Sequence, residues 1–212
     1  MPARLRPTAP IAADAVLVGD PGRALMLAQE LLEQPKMSNH ARGLWGYWGR
    51  TPEGHELTIQ ATGMGGPSAS VVLGDLAELG VRRVIRIGTC ASLGDLGLGE
   101  LLVVTEAHTP DGGRSLPDPE TTAGLGQALK ATSGAVVSLD SLHRPEGELP
   151  SLVAEGADMQ TGALFRAAKE RSVAAAAILI ATEKSDSGQL RDEDLEEAAK
   201  GAARAAARQL SA

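Results

Sequence analysis

The chain has 212 residues, a net charge of −7, 25 glycines and one cysteine, and only four aromatic rings: Trp45, Tyr47, Trp48 and Phe165. That length suits one α/β-scale domain over residues 1–212, with 1–11 read as an extended arm, and so few rings imply a small-sided core with backbones packed close together. The single cysteine excludes a disulfide framework and a cysteine-rich zinc site, and no stretch reaches the ~18 uninterrupted apolar residues of a membrane span.

In chain order, Ala15–Val18 reads as a short buried strand, and Pro21–Leu32 as a helix with proline in its first turn. Trp45–Trp48 and Leu57–Ala61 flank the turn-rich Thr51-Pro52-Glu53-Gly54 and read as a hairpin. Pro67–Leu79 is the next helix, ended by Gly80. Arg83–Ile87 and Leu101–Glu106 are strands joined by a glycine-rich turn at Gly94, Gly97 and Gly99. Asp118–Lys130 is a helix, Ala135–Ser138 a strand, and Gln160–Lys169 a helix. The longest apolar run, Val173–Ala181, makes the last central strand, and the alanine-rich Glu193–Leu210 closes the chain as a helix. Strands alternating with helices imply a mainly parallel sheet covered on both faces. The first dozen residues and Thr109–Pro119 are the stretches whose composition suits flexibility. Met1–Pro10 has no apolar signal region, so a cytoplasmic, reducing address is expected. The acidic balance, with no basic cluster interleaved with aromatics, argues against nucleic acid as a partner.

In open α/β sheets ligands gather where strands end and loops lead into helices. Three such places carry anion-binding chemistry. Gly19-Asp20-Pro21-Gly22-Arg23 offers backbone N–H groups at a helix start and a forked guanidinium; the plain alternative is a tight turn with a surface arginine. Thr62-Gly63-Met64-Gly65-Gly66-Pro67-Ser68 lacks the endings of the nucleotide P-loop and of the dinucleotide fingerprint. It reads equally as a phosphate or ribose cradle and as a close-packed turn. Arg86-Ile87-Gly88-Thr89-Cys90 puts an arginine in an apolar strand beside a Gly-Thr turn. That arginine is either an oxyanion clamp or the partner of a structural carboxylate. A fourth feature, Ser185-Asp186, follows the long apolar strand; its carboxylate is a candidate general acid, with helix capping as the ordinary role. No two of His40, His55, His108 and His143 have metal-ligand spacing, so no metal is expected, and Cys90 reads as a small buried residue.

In order and spacing, these motifs resemble the nucleoside phosphorylase family of hexameric purine nucleoside phosphorylases, uridine phosphorylases and related nucleosidases. The resemblance runs from about Ala12 to Ala207 and rests on Gly19-Asp20-Pro21 with Arg23, Asn39-His40-Ala41-Arg42-Gly43, Gly63-Met64-Gly65 with Pro67-Ser68, Arg86-Ile87-Gly88-Thr89-Cys90, and Ser185-Asp186. It implies a three-layer α/β/α fold around a mixed, partly closed sheet, assembled as dimers into hexamers. It also implies phosphorolysis of a nucleoside, with inorganic phosphate as co-substrate and no further cofactor. On it, Gly19, Arg23, Arg86 and Thr89 bind phosphate, and Arg42 completes a neighbouring subunit's phosphate site. Met64, Met159 and Gln160 line the ribose, Leu142, Ser185 and Asp186 the base. Asp186 and Arg86 are the catalytic pair, with Asp186 protonating a purine leaving group. The full arginine set favours phosphorolysis over hydrolysis.

The sequence also departs from the family. The ribose motif Glu-Met-Glu is here Asp158-Met159-Gln160, so its acceptor is uncharged. Leu142 stands where the purine enzymes carry a stacking ring. The Gln-x-Arg pair of uridine phosphorylases is not evident, while Asp111-Gly112-Gly113-Arg114-Ser115 resembles the uridine branch. Arg4 or Arg6 occupies the place of an N-terminal histidine. The expectation is a nucleoside phosphorylase slightly favouring purine nucleosides. The alternatives are a pyrimidine or modified-nucleoside phosphorylase and, in another class, a nucleoside- or phosphate-binding protein with little turnover.

Overall fold

A computed structural model describes residues 4–142, 154–184 and 188–212. The strands are β1 (Asp14–Val18), β2 (Glu33–Asn39), β3 (Gly46–Arg50), β4 (Glu56–Ala61), β5 (Arg83–Ser92), β6 (Leu101–His108), β7 (Arg114–Ser115), β8 (Thr132–Ser138), β9 (Gly156–Asp158), β10 (Ala174–Lys184) and β11 (Gly188–Gln189). The helices are α1 (Pro21–Leu31), α2 (Gly65–Glu78), α3 (Pro119–Ala128), α4 (Thr161–Arg171) and α5 (Asp192–Ser211). Among the described residues all strands join one sheet, in the order β11-β10-β6-β8-β9-β5-β1-β4-β3-β2, with β7 beside β6. A further pairing of β10 with β5 closes β10, β6, β8, β9 and β5 into a ring, from which β1, β4, β3 and β2 extend as a wing. The sheet is therefore mixed and partly closed. The mainly parallel sheet suggested by simple strand–helix alternation does not hold, because β2–β3–β4 turn back as hairpins and β6 and β9 run against β10 and β5.

Side chains alternate between the two faces along β1 and most of β10, as the two-residue period of a strand requires. Ala15 and Leu17 of β1, with Ala175, Ala177, Leu179 and Ala181 of β10, face α2 and α4. Val16 and Val18, with Ala176, Ile178 and Ile180, face α1, α3 and α5. The second face is filled largely by alanine, with Ala199, Ala202, Ala203 and Ala206 of α5 all buried. Small side chains let these helices lie close to the strands, and so the near-absence of rings is compatible with a three-layer fold. No helix among the described residues is long and apolar enough to cross a membrane.

Helix starts follow their sequence signals. The Asp20 side chain accepts from Arg23 N at 2.7 Å, with proline at the first position of α1. Asp118 caps α3 in the same way, at 2.9 Å from Thr121 N. Both caps satisfy backbone donors that a helix leaves open.

Three local findings differ from the sequence reading. Glu33–Asn39, with no apolar alternation, forms β2 at the edge of the wing, where Pro35 is tolerated because one side of the strand has no ladder partner. β5 does not turn at Gly88-Thr89 but runs on to Ser92, pairing with β10 on one side and with β1 and then β9 on the other. The described N-terminal residues form a pinned strap. Arg4 N and Leu5 N donate to Asp75 Oδ2 at 2.7 and 2.8 Å, Arg6 N to Asn39 Oδ1 at 2.8 Å, and Thr8 N to Ser38 O at 2.8 Å. The Leu5 side chain is buried in the core.

Candidate active site

β1 lies between β4 and β5 and runs parallel to both, so Val18 stands opposite Ala61 and Ile87 at one end of the sheet. The loops after β1 and β4 therefore leave together. Gly19 lies against the second loop: a β-carbon on it would stand 3.5 Å from Gly63 O and 4.0 Å from Gln160 Oε1. The three motifs read in the sequence as candidates for anion binding, separate along the chain, meet here.

Arg86 sits in β5 opposite Leu17 of β1 and Ala177 of β10, and is 5% exposed. Its Nη2 donates to Asp158 Oδ2 at 3.0 Å, Nη1 to Gln160 Oε1 at 2.8 Å, and Nε to Thr161 Oγ1 at 3.3 Å. The guanidinium folds back over Gly88, whose missing β-carbon would lie 2.6 Å from Arg86 Cζ; only glycine leaves that room. Of the two readings open for Arg86, pairing with a buried carboxylate is present. It leaves one N–H on each terminal nitrogen for a ligand, because guanidinium has five donors and three are used.

Asp158 is itself completely engaged. Ser138 Oγ donates to Oδ1 at 2.6 Å, and Thr161 Oγ1 and Thr161 N donate to Oδ2 at 2.6 and 3.0 Å. Burying a charge pair is tolerable when every remaining lone pair finds a donor, and Asp158 meets that condition while also capping α4.

Arg23, in the first turn of α1, is half-buried. Among the described residues its guanidinium makes no hydrogen bond or ion pair. Burial pushes its pKa down; Asp20 pulls it up, and Arg86 pushes it further down. A desolvated cation near a second one is an electrostatic vacancy for an anion. Thr89, half-buried on β5, and the loop at Gly19 flank the same end of the strands. Cys90 is 2% exposed, and its thiol is pushed up to about 12, first by burial and then by Asp158, with Arg86 opposing. It is a protonated packing group, as the sequence suggested.

The remaining predicted residues are spread out. Gln160 is 4% exposed and contacts Arg86 directly. Met64 projects into solvent at 81% exposure. Met159 lines a small cavity of about 190 Å³ with Ser138, Leu139, Asp140 and Arg166. Leu142 packs on the apolar cluster of Val137, Leu139 and Ala157. Arg42, with its backbone at φ 63°, lines a cleft of about 520 Å³ together with Arg4, Arg6, Thr8 and His40, a cleft to which Arg86 does not contribute. Ser185, Asp186 and His143 lie outside the described residues. The sequence reading gave no role to Asp158, Thr161 or Thr62. The signal available for Asp158 was the demand of a strand arginine for a carboxylate, together with an acid placed three residues before a threonine at a helix start.

The sequence model of the phosphorylase superfamily matches residues 14–212. The chain belongs to the phosphorylase superfamily. It is similar to the DeoD-type purine nucleoside phosphorylase of Oceanobacillus iheyensis, 39% identical over 101 residues that cover 47% of this chain and 43% of that protein. It is also similar to the DeoD-type purine nucleoside phosphorylase of Bacillus cereus, 29% identical over 190 residues that cover 80% of each. The match thus spans less than half the length of the first relative. In fold, the chain resembles the crystal structure of uridine phosphorylase from Vibrio fischeri, with a TM-score of 0.83 and 22% identity over 95% of this chain and 92% of that one.

Proposed function

We propose that the protein is a nucleoside phosphorylase, cleaving the N-glycosidic bond of a nucleoside with inorganic phosphate to give free base and (deoxy)ribose 1-phosphate. The observation that carries this reading is the convergence of Gly19, Arg23, Arg86 and Thr89 on one end of the sheet, with the Arg23 guanidinium half-buried and making no hydrogen bond or ion pair among the described residues. Oriented guanidinium and backbone donors hold phosphate in line with the anomeric carbon and balance its charge. A phosphate oxygen bonds to that carbon as the C–N bond breaks, and the bonding pair leaves with the base. The base takes a proton from Asp186, or departs as an anion where it is stable enough. The similarity to DeoD-type purine nucleoside phosphorylases and the match of Asp186 support a slight preference for purine nucleosides. A pyrimidine nucleoside is the second reading, favoured by the Asp111–Ser115 loop. Self-association, with Arg42 completing a neighbour's site, belongs to the same proposal.

The test is to incubate the protein with inosine, adenosine, uridine and thymidine, with and without phosphate, and to follow free base by chromatography. Base released only with phosphate supports the proposal. Release indifferent to phosphate means hydrolysis, and no release from any nucleoside leaves a binding protein.

A further inference from the structure

Gln160 stands at the N-cap of α4, yet its side chain makes no bond to that helix; Asp158 does the capping instead. The amide is sent across the site. Oε1 accepts from Arg86 Nη1 at 2.8 Å and from Thr62 Oγ1 at 3.1 Å, while Nε2 donates to Gly63 O at 2.7 Å and Gly65 O at 3.3 Å. Gly63 and Gly65 have φ of 73° and 81°, so the two carbonyls that receive these bonds belong to a left-handed turn open to glycine. The single Thr62 hydroxyl proton has Val18 O, 3.0 Å away, as its alternative acceptor. One buried amide thus joins α4, β5 and the turn between β4 and α2. Both its hydrogens are used, and its oxygen accepts from Arg86 with the Thr62 hydroxyl within reach. A carboxylate here would keep the acceptors but lose both donors, and would set a negative oxygen against two carbonyls.

We infer that Gln160 is a positioning residue. It holds the Arg86 guanidinium and the Gly63–Gly65 turn in the geometry that receives phosphate, rather than accepting the sugar hydroxyls. The uncharged side chain is then required by the two carbonyl partners and is not a weakened version of a carboxylate. The inference rests on the phosphorylase reading for its sugar half only; its phosphate half is measurable without turnover.

Phosphate affinity, measured by calorimetric titration, and the separate KM values for nucleoside and phosphate are compared in the wild type, Gln160→Met and Gln160→Glu. Met keeps size and neutrality but no hydrogen bond, so phosphate affinity should fall at least about tenfold, in line with loss of a bond to a charged group. The KM for phosphate should rise with it. Glu should not improve the KM for nucleoside. If Met fails to fold, Glu alone decides on that last measure. A residue serving only as sugar acceptor gives the opposite pattern: phosphate affinity within about twofold of wild type, nucleoside KM raised by Met and lowered by Glu. Either half of that pattern overturns the inference. Absence of phosphate-dependent base release by the wild type would instead defeat the phosphorylase proposal, leaving the phosphate titrations to judge Gln160.

Discussion

At the scale of single residues, Asp158 holds the site's electrostatics together. It is 1% exposed, neutralises Arg86, and receives Ser138 and Thr161. Asp158→Ala strands a buried guanidinium, and breaking a buried pair in this way costs about 3–5 kcal/mol; a urea unfolding series should show that loss, with Asp158→Asn less affected. Cys90 gives a pH prediction. Its folded thiol is held near 12, whereas an unfolded thiol titrates near about 8.5. Between those values the unfolded chain has lost a proton that the folded one retains, so this group's contribution is complete below about pH 8.5 and declines as pH rises. The stability difference between wild type and Cys90→Ala should therefore shift against the wild type in alkali, approaching about 1.4 kcal/mol per pH unit. The thiol should also resist labelling at neutral pH until the protein unfolds. Gly19, Arg23 and Arg86 could be singled out in the sequence because each stands in a short motif. The pairing of Arg86 with Asp158 and Gln160 was not legible, because they lie more than seventy residues away and only the folded sheet brings them there.

Among the elements, those with a clear period were readable, and so were the caps. α1 and α3 begin where an aspartate precedes a proline, and β10 fills the longest apolar run. β2 was hidden because an edge strand needs backbone partners on one side only and carries few buried side chains; its pattern is mostly exposed. The strap was hidden for a similar reason. Its bonds are backbone donors reaching Asp75 and Asn39, which composition does not reveal. Asp75→Ala should release it, at roughly 1–2 kcal/mol of stability. Limited trypsin digestion followed by mass analysis should then show faster cleavage after Arg4 than in the wild type; an unchanged rate would mean that Leu5 burial and the bonds to Asn39 and Ser38 hold the strap without Asp75. β5 runs through the Gly-Thr step because β10 pairs with it continuously there, while β1 ends at Ile87 and β9 begins only at Ala91 on the other side.

Taken as a whole, the molecule is a partly closed sheet whose wing strands β1 and β4 end beside the closed part, at β5, and this junction brings the glycine and arginine motifs together. The alternation of strands and helices was enough to expect helices on both faces. The closure was not derivable from it, since it depends on the β10–β5 pairing rather than on any local pattern. If this junction is a phosphate site, Arg23→Ala should lower kcat/KM for phosphate by about a hundredfold, as loss of one preorganised donor does, while circular dichroism remains that of the wild type. The fate of phosphorus gives the most direct test of the account. In a phosphorus NMR spectrum of wild-type protein with nucleoside and inorganic phosphate, the phosphate signal should decline as a pentose 1-phosphate signal grows in step with free base. Free base accompanied by free pentose, with the phosphate signal unchanged, would contradict it.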